Sequence, residues 1–583
     1  MRHVTRNTSS KVGGALAAAG LCVTLGWPRP AAAQISPEKS NELLRGAVHR
    51  LSEPAAQPAL ADADTPAAAV LADGNDGDAA PNAATPSAAA APTAAELERR
   101  IEQLESELEM LKANAQSMKT MFLPEGQQAA APAAPAGPDL QTPFAYGDFT
   151  WLNGTPRNKK VAFDTPFFTP EVRFDTHYMY SFNHPADHTL VGSTESFRTG
   201  EFQVEQISVG GDFHLDNVRG RVLYMMGLFA TTTPRNDAST GVGQWDVADA
   251  YRYTSEAYGG YHFDVQHGIN VDAGIFVSYI GLFSYYNFDN WTYQPSYVSS
   301  NTPWFFNGLR VQWFPTNKLK IEPWLINGWQ SYNRPNGRMG FGGQVLWQPY
   351  EWFKLVLNNY TNGADAVGIP QRHRAHTDDS IEIRYYNNPE SDGISKMAFS
   401  FTADYGCEFG GGVVCHGGNA QTPSQYFAGW MVYNRIWFKK DTWAITPGGG
   451  MMTNPGRYLT LLPPINGATA FTGTPYFTEN PGDQANQWDL TLNVQYMPKD
   501  FITFWGEVGY RHSDVPYFAG PGGVTPPGGN NGVPNQYACM SGAPSGATDL
   551  PTAQLACGGA NQVWFPDLRK DQTVISTGIM VKF

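Results

Sequence analysis

The chain runs to 583 residues with a formal net charge of −14, 16% charged and 13% aromatic residues, and a mean hydropathy of −0.35. The acidic balance leaves no basic stripe to neutralise phosphates, which argues against nucleic acid as a partner. So few charges beside so many rings also fit neither an average soluble domain, at about 25% charge, nor a disordered chain, which would lack the rings.

Arg2, Arg6 and Lys11 precede an apolar run from Val12 to Trp27, and Ala31, Ala32 and Ala33 stand ahead of Gln34. A positive start, a short apolar stretch and small residues at a cleavage position predict a secretory signal over 1–33. The run is too short for a membrane anchor, and Leu21 before Cys22 suits a lipoprotein signal poorly. Export implies an oxidising compartment. Residues 34–92 are rich in Ala, Pro and Asp with few large apolar side chains, which predicts a disordered or extended linker.

Thr93 and Glu96 form a capping box, and Leu97, Ile101, Leu104, Leu108, Leu111, Ala115, Met118 and Phe122 follow at alternating spacings of four and three. That is a heptad seam between charged flanks, and it predicts a coiled coil over 93–123. A helix packed on its own domain would show a wider apolar face. The seam therefore implies a homo-oligomer, with a trimer among the orders it allows. Pro124 ends the helix, and 124–170 reads as a second linker leading into the next domain.

From 171 to 583 the period changes to two. Between Val172 and Phe182 the even positions are apolar or aromatic and the odd ones mostly polar. The same alternation returns from Ala250 to Phe263, from Trp488 to Tyr496 and from Ile502 to Arg511. No later stretch holds 18 consecutive apolar residues, so a spanning helix is excluded, but strands cross a bilayer in about ten residues with one polar face. Trp313-Phe314-Pro315, Trp347-Gln348-Pro349 and Tyr496-Met497-Pro498 each place an aromatic ring two residues before a proline and just ahead of a new strand. Short turns of this kind opposite long Gly/Asn/Pro-rich connections, such as Thr453–Asn486 and Ser513–Asp571, predict an all-β transmembrane antiparallel barrel of about 16 strands. A soluble sandwich would show shorter strands and no one-sided loop lengths. The last strand carries Thr573, Ile575, Thr577, Ile579, Val581 and Phe583 on one face.

Four cysteines remain after the signal, as two local pairs in Gly-rich stretches: Cys407 with Cys415 and Cys539 with Cys557. Loop-closing disulfides are the expected reading, since neither pair has the close spacing of a zinc site.

Gly268-Ile269-Asn270-Val271-Asp272-Ala273-Gly274-Ile275-Phe276, Tyr279-Ile280-Gly281, Tyr285-Tyr286-Asn287-Phe288, Tyr293-Gln294-Pro295-Ser296 and Asn301-Thr302-Pro303-Trp304-Phe305-Phe306-Asn307-Gly308 together resemble the OmpL-like outer-membrane β-barrel porin family. The resemblance spans roughly 171–583 and implies a porin fold without naming a solute. The N-terminal helix looks like the periplasmic coiled coils that precede some other barrels, for example phosphate-selective porins. Phosphate selectivity is not carried over, because no run of Lys or Arg lines one strand.

If the alternation is read correctly, the lumen face carries both signs. Arg173, Arg219, Arg221, Arg252, Arg310, Lys354, Arg384, Arg435 and Arg511 oppose Asp175, Glu205, Glu256, Asp272, Glu322, Glu382, Asp404, Asp489 and Glu507. Such rows either set up a transverse field that orients polar solutes or pair off and stiffen the wall. The aromatic stretch from Tyr279 to Phe306 folds inward to narrow the bore or packs at a subunit interface. His373 and His376 flank Arg374 near Asp378 and Asp379, a set that invites a metal but reads as a solvated polar loop between strands. No GxSxG, HExxH or phosphate-cradling loop appears, so neither catalysis nor a cofactor is expected. The expected function is passive diffusion of small hydrophilic solutes or ions across the bacterial outer membrane, with the coiled coil in the periplasm. The alternative is an envelope tether with a plugged barrel.

Overall fold

The computed structural model describes residues 141–583 apart from 186–187, 189, 191–196, 234–236, 238–243, 335, 365–368, 420, 455–457, 459–484, 515–516, 522–537, 540, 542, 544, 548–549 and 565–567. The signal, first linker and coiled coil expected over 1–33, 34–92 and 93–123 lie outside the described residues.

Period-two patterning becomes β-strand over most of its length. The strands are β1 (Phe168–Ser181), β2 (Phe202–Leu215), β3 (Val218–Met226), β4 (Thr254–Phe263), β5 (Ile269–Val277), β6 (Phe305–Thr316), β7 (Leu319–Ile326) and β8 (Gly340–Tyr350). They continue as β9 (Phe353–Gly363), β10 (His373–Asn387), β11 (Ile394–Phe409), β12 (Tyr426–Phe438), β13 (Trp443–Thr453), β14 (Asn486–Lys499), β15 (Ile502–Ser513) and β16 (Asp571–Lys582). Each pairs antiparallel with its sequence neighbour, and β1 pairs with β16 from Arg173↔Lys582 to Ser181↔Val574, which closes the barrel. Closure leaves no strand edge with unpaired N–H and C=O groups, the condition for strands to cross hydrocarbon.

Side chains segregate by face as the alternation requires. On β14, Trp488, Leu490, Leu492 and Val494 are exposed on the outer wall while Gln487, Asp489, Asn493 and Gln495 are buried on the inner one. Phe174, Ile575 and Ile579 likewise point outward. The barrel is thus apolar outside and polar inside, the inverse of a soluble protein.

Its two ends differ. The β2–β3, β6–β7, β8–β9 and β14–β15 hairpins turn within two residues. In the first of these, Asp216 takes a positive φ of 52°, which Asp tolerates better than most residues. Trp443 packs on Tyr496 at 4.6 Å and Tyr350 on Trp352 at 5.3 Å, forming an aromatic collar on the outer wall at this short-turn end. Long connections occupy the opposite end. There the disulfides Cys407–Cys415 and Cys539–Cys557 join Cα atoms 5.1 and 5.2 Å apart, as expected.

Candidate functional site

The connection from β5 to β6, residues 278–304, does not stay at the rim. Nearly every residue from Asn287 to Phe306 is buried, because the segment folds into the lumen and meets the polar inner wall. On the β1 side, Asp175 accepts hydrogen bonds from Asn287 Nδ2 (3.0 Å) and Tyr293 Oη (3.1 Å), and Arg173 Nη1 pairs with Asp289 (3.1 Å). Two strands along, on β15, Glu507 accepts the backbone N–H groups of Tyr293 (2.7 Å) and Gln294 (2.9 Å). Asp489 accepts Ser296 Oγ (2.6 Å) and the Tyr297 N–H (3.0 Å). Arg435 and Arg511 donate to the carbonyls of Trp291 (2.8 Å) and Pro295 (2.7 Å). Glu256 accepts Tyr286 Oη (2.8 Å) and pairs with Arg221, which also reaches Glu171. An irregular backbone has polar groups that a strand would satisfy in its ladder, and here the wall charges satisfy them. Stacking of Tyr293 on Trp505 at 3.9 Å adds an apolar anchor.

A second segment comes from the other end. Residues 141–158 run beneath the barrel wall at the short-turn end, and no sequence signal marked them as structured. The Phe144 N–H donates to Asn317 O in the β6–β7 turn, and Trp151 Nε1 donates to Glu351 O in the β8–β9 turn. Asp148 binds Arg384 (2.6 Å), Arg157 donates to Ile502 O, and Asn158 donates to Asp500 O and Lys582 O. Burial alone would raise the Asp148 carboxyl, but hydrogen bonds from Thr150 and the charges of Lys396 and Arg384 hold it below the usual carboxylate range. This strap meets the inward segment at Asn153, whose N–H donates to Glu382 (2.7 Å) and whose Oδ1 accepts the Trp291 N–H (2.8 Å). Next to it, Gly154 has a φ of 68° and no room for a side chain, since a Cβ would lie 2.2 Å from Leu282 O.

Open volume remains to one side of the inward segment. A cavity of about 270 Å³ lies between the inward segment, the strap and the wall of β5–β9, lined among others by Tyr279, Trp304, Arg310, Lys320, Glu322 and Lys354. Arg310 donates through Nε and Nη2 to one oxygen, Oδ2, of Asp272 (both 3.0 Å), which Arg219 also approaches at 3.3 Å; Lys354 pairs with Glu382 (2.9 Å), and Lys320 pairs with Glu322. Of the expected charged wall, then, Arg310, Glu322 and Lys354 border the cavity. Arg173, Asp175, Glu256, Arg435, Asp489, Glu507 and Arg511 hold the inward segment, while Arg384 and Glu382 hold the strap.

Two expectations need correction. Arg252 stands not on a strand but on the C-cap of a short helix, Val247–Tyr251, where it pairs with Asp249; β4 starts only at Thr254, because Asp246 caps that helix. His373, His376, Asp378 and Asp379 belong to β10 and not to a solvated loop. His376 is buried between Tyr458 Oη (2.7 Å) and Asp404 (2.6 Å). Polar residues occupy both faces there, which erases the contrast on which the period-two signal depends. Among the described residues no His/Cys/Asp/Glu group could hold a metal ion.

A comparison with curated proteins finds no match. Among solved structures, OmpT of Vibrio cholerae in its trimer form is 8% identical over 72% of this chain and 100% of its own, with a TM-score of 0.39. The anion-selective porin from Comamonas acidovorans is 8% identical over 71% and 99%, at 0.40, and the outer-membrane channel DcaP of Acinetobacter baumannii is 10% identical over 73% and 100%, at 0.37. Scores this low carry no weight beside the family match. That match covers residues 173–540, from β1 past the end of β15, and its family is described as "Putative beta-barrel porin-2, OmpL-like". The chain belongs to this OmpL-like family of β-barrel porins.

Proposed function

We propose that the protein is a narrow diffusion channel of the outer membrane, passing small hydrophilic solutes along the β5–β9 side of its lumen. The observation that carries this reading is the polar cavity left between the inward segment, the strap and the wall. Arg310, Glu322 and Lys354 are its pore-lining charges, and the remaining wall charges act indirectly by fixing the inward segment. Outer-membrane barrels place short turns on the periplasmic side, which would put the strap and the upstream coiled coil there. The heptad seam then brings copies of the chain together, and excising Thr93–Phe122 should lower the oligomer on a native gel. Liposome swelling tests the channel itself. Vesicles carrying the full chain should swell faster in a pentose than in a disaccharide, and no swelling with either sugar would contradict the reading.

An envelope tether with a closed barrel is the second reading, favoured by the two segments that occupy the lumen from opposite ends. It requires that sugar flux and ionic current both be absent from well-inserted protein.

A further inference from the structure

The lining of the cavity is unbalanced in its hydrogen bonding. Three buried polar atoms on its lining side chains make no hydrogen bond within the protein: Asn153 Nδ2, Trp304 Nε1 and Trp324 Nε1. All three are donors. The Asn153 assignment is fixed because its Oδ1 already accepts the Trp291 N–H. A buried donor without an acceptor costs about 1–3 kcal/mol, and all three belong to residues that border this cavity.

The charges lean the same way. Among the described residues lining the cavity, Glu322 is the one carboxylate, and Lys320 and Gln312 already occupy its Oε2. Asp272 and Glu382 sit behind the lining, covered by Arg310 and Lys354. With Arg219 sharing Asp272, the cluster holds four cations against three carboxylates. Lys320 and Lys354 each have three ammonium donors and one carboxylate partner, so both retain donors for a further acceptor. The cavity therefore presents spare ammonium donors inside a chain whose overall charge is −14. Tyr279 and Trp304 add ring surface to the same lining.

We infer that this cavity is a binding site for a small carboxylate solute with an apolar body, held by Lys320 and Lys354 and packed against the rings of Tyr279 and Trp304 during passage. The inference rests on the diffusion reading for its role, but its test does not need current. The full chain in detergent is titrated calorimetrically with sodium benzoate and with benzyl alcohol, which keeps the ring and removes the charge. Benzoate should bind at least about tenfold more tightly. Lys320→Gln and Lys354→Gln should each weaken benzoate by about three- to tenfold and leave benzyl alcohol unaffected. Equal affinity for the two probes, no benzoate binding, or benzoate binding unmoved by both substitutions would overturn the site. Benzoate binding without any bilayer conductance would support the site while faulting the diffusion reading.

Discussion

Glu507 and Asp489 show what a single wall carboxylate does in this barrel. Each accepts two groups from the inward segment, and their sequence positions lie about 200 residues from their partners. Alternation along β14 and β15 was enough to place both side chains inward; it held no information about what they would meet there. Glu507→Ala should leave the Tyr293 and Gln294 N–H groups without acceptors, lowering stability by about 2–4 kcal/mol in thermal unfolding. Loss of the near-ultraviolet signal from the Tyr293–Trp505 stack should accompany it. Gly154→Ala forces a Cβ against Leu282 O at a left-handed φ, so it should cost about 1–3 kcal/mol and loosen the strap. Asp148 provides a pH test. Its folded-state value is depressed, so the stability it lends the strap is present above the usual carboxylate range and disappears as pH falls through that lowered value. Hydrogen exchange of amides 141–158 should therefore accelerate under strong acid, and Asp148→Asn should remove that acid step.

At the scale of elements, legibility followed contrast. Strands β1, β14, β15 and β16 alternate apolar and polar residues cleanly, and their faces follow directly from the sequence. Strand β10 does not, since Thr377 and Asp379 occupy its outer positions beside the buried Arg374, His376 and Asp378. The inward segment was visible as an aromatic stretch between two strands, but its direction was open because an interface and a constriction demand the same residue types. The strap was invisible. Its anchors are mostly backbone carbonyls of turns, which any sequence supplies. Excising residues 141–158 should raise single-channel conductance severalfold while the barrel keeps its heat resistance, because the strand ladder does not depend on the strap. Reducing Cys539–Cys557 should leave the barrel's melting unchanged, since that bond lies within the β15–β16 connection, whereas Cys407–Cys415 ties the end of β11 to the connection that follows it.

For the whole molecule, sixteen strands make a ring wide enough to need filling, and the chain fills it asymmetrically. The inward segment is fastened to β1, β4, β12, β14 and β15, the strap reaches it from the short-turn end, and a cavity is left along β5–β9. Single-channel recording from the purified full chain in a planar bilayer tests this arrangement most directly. Small, ohmic conductance steps that grow when residues 141–158 are removed are the expected result. Silence from well-inserted protein, before and after that excision, would contradict it.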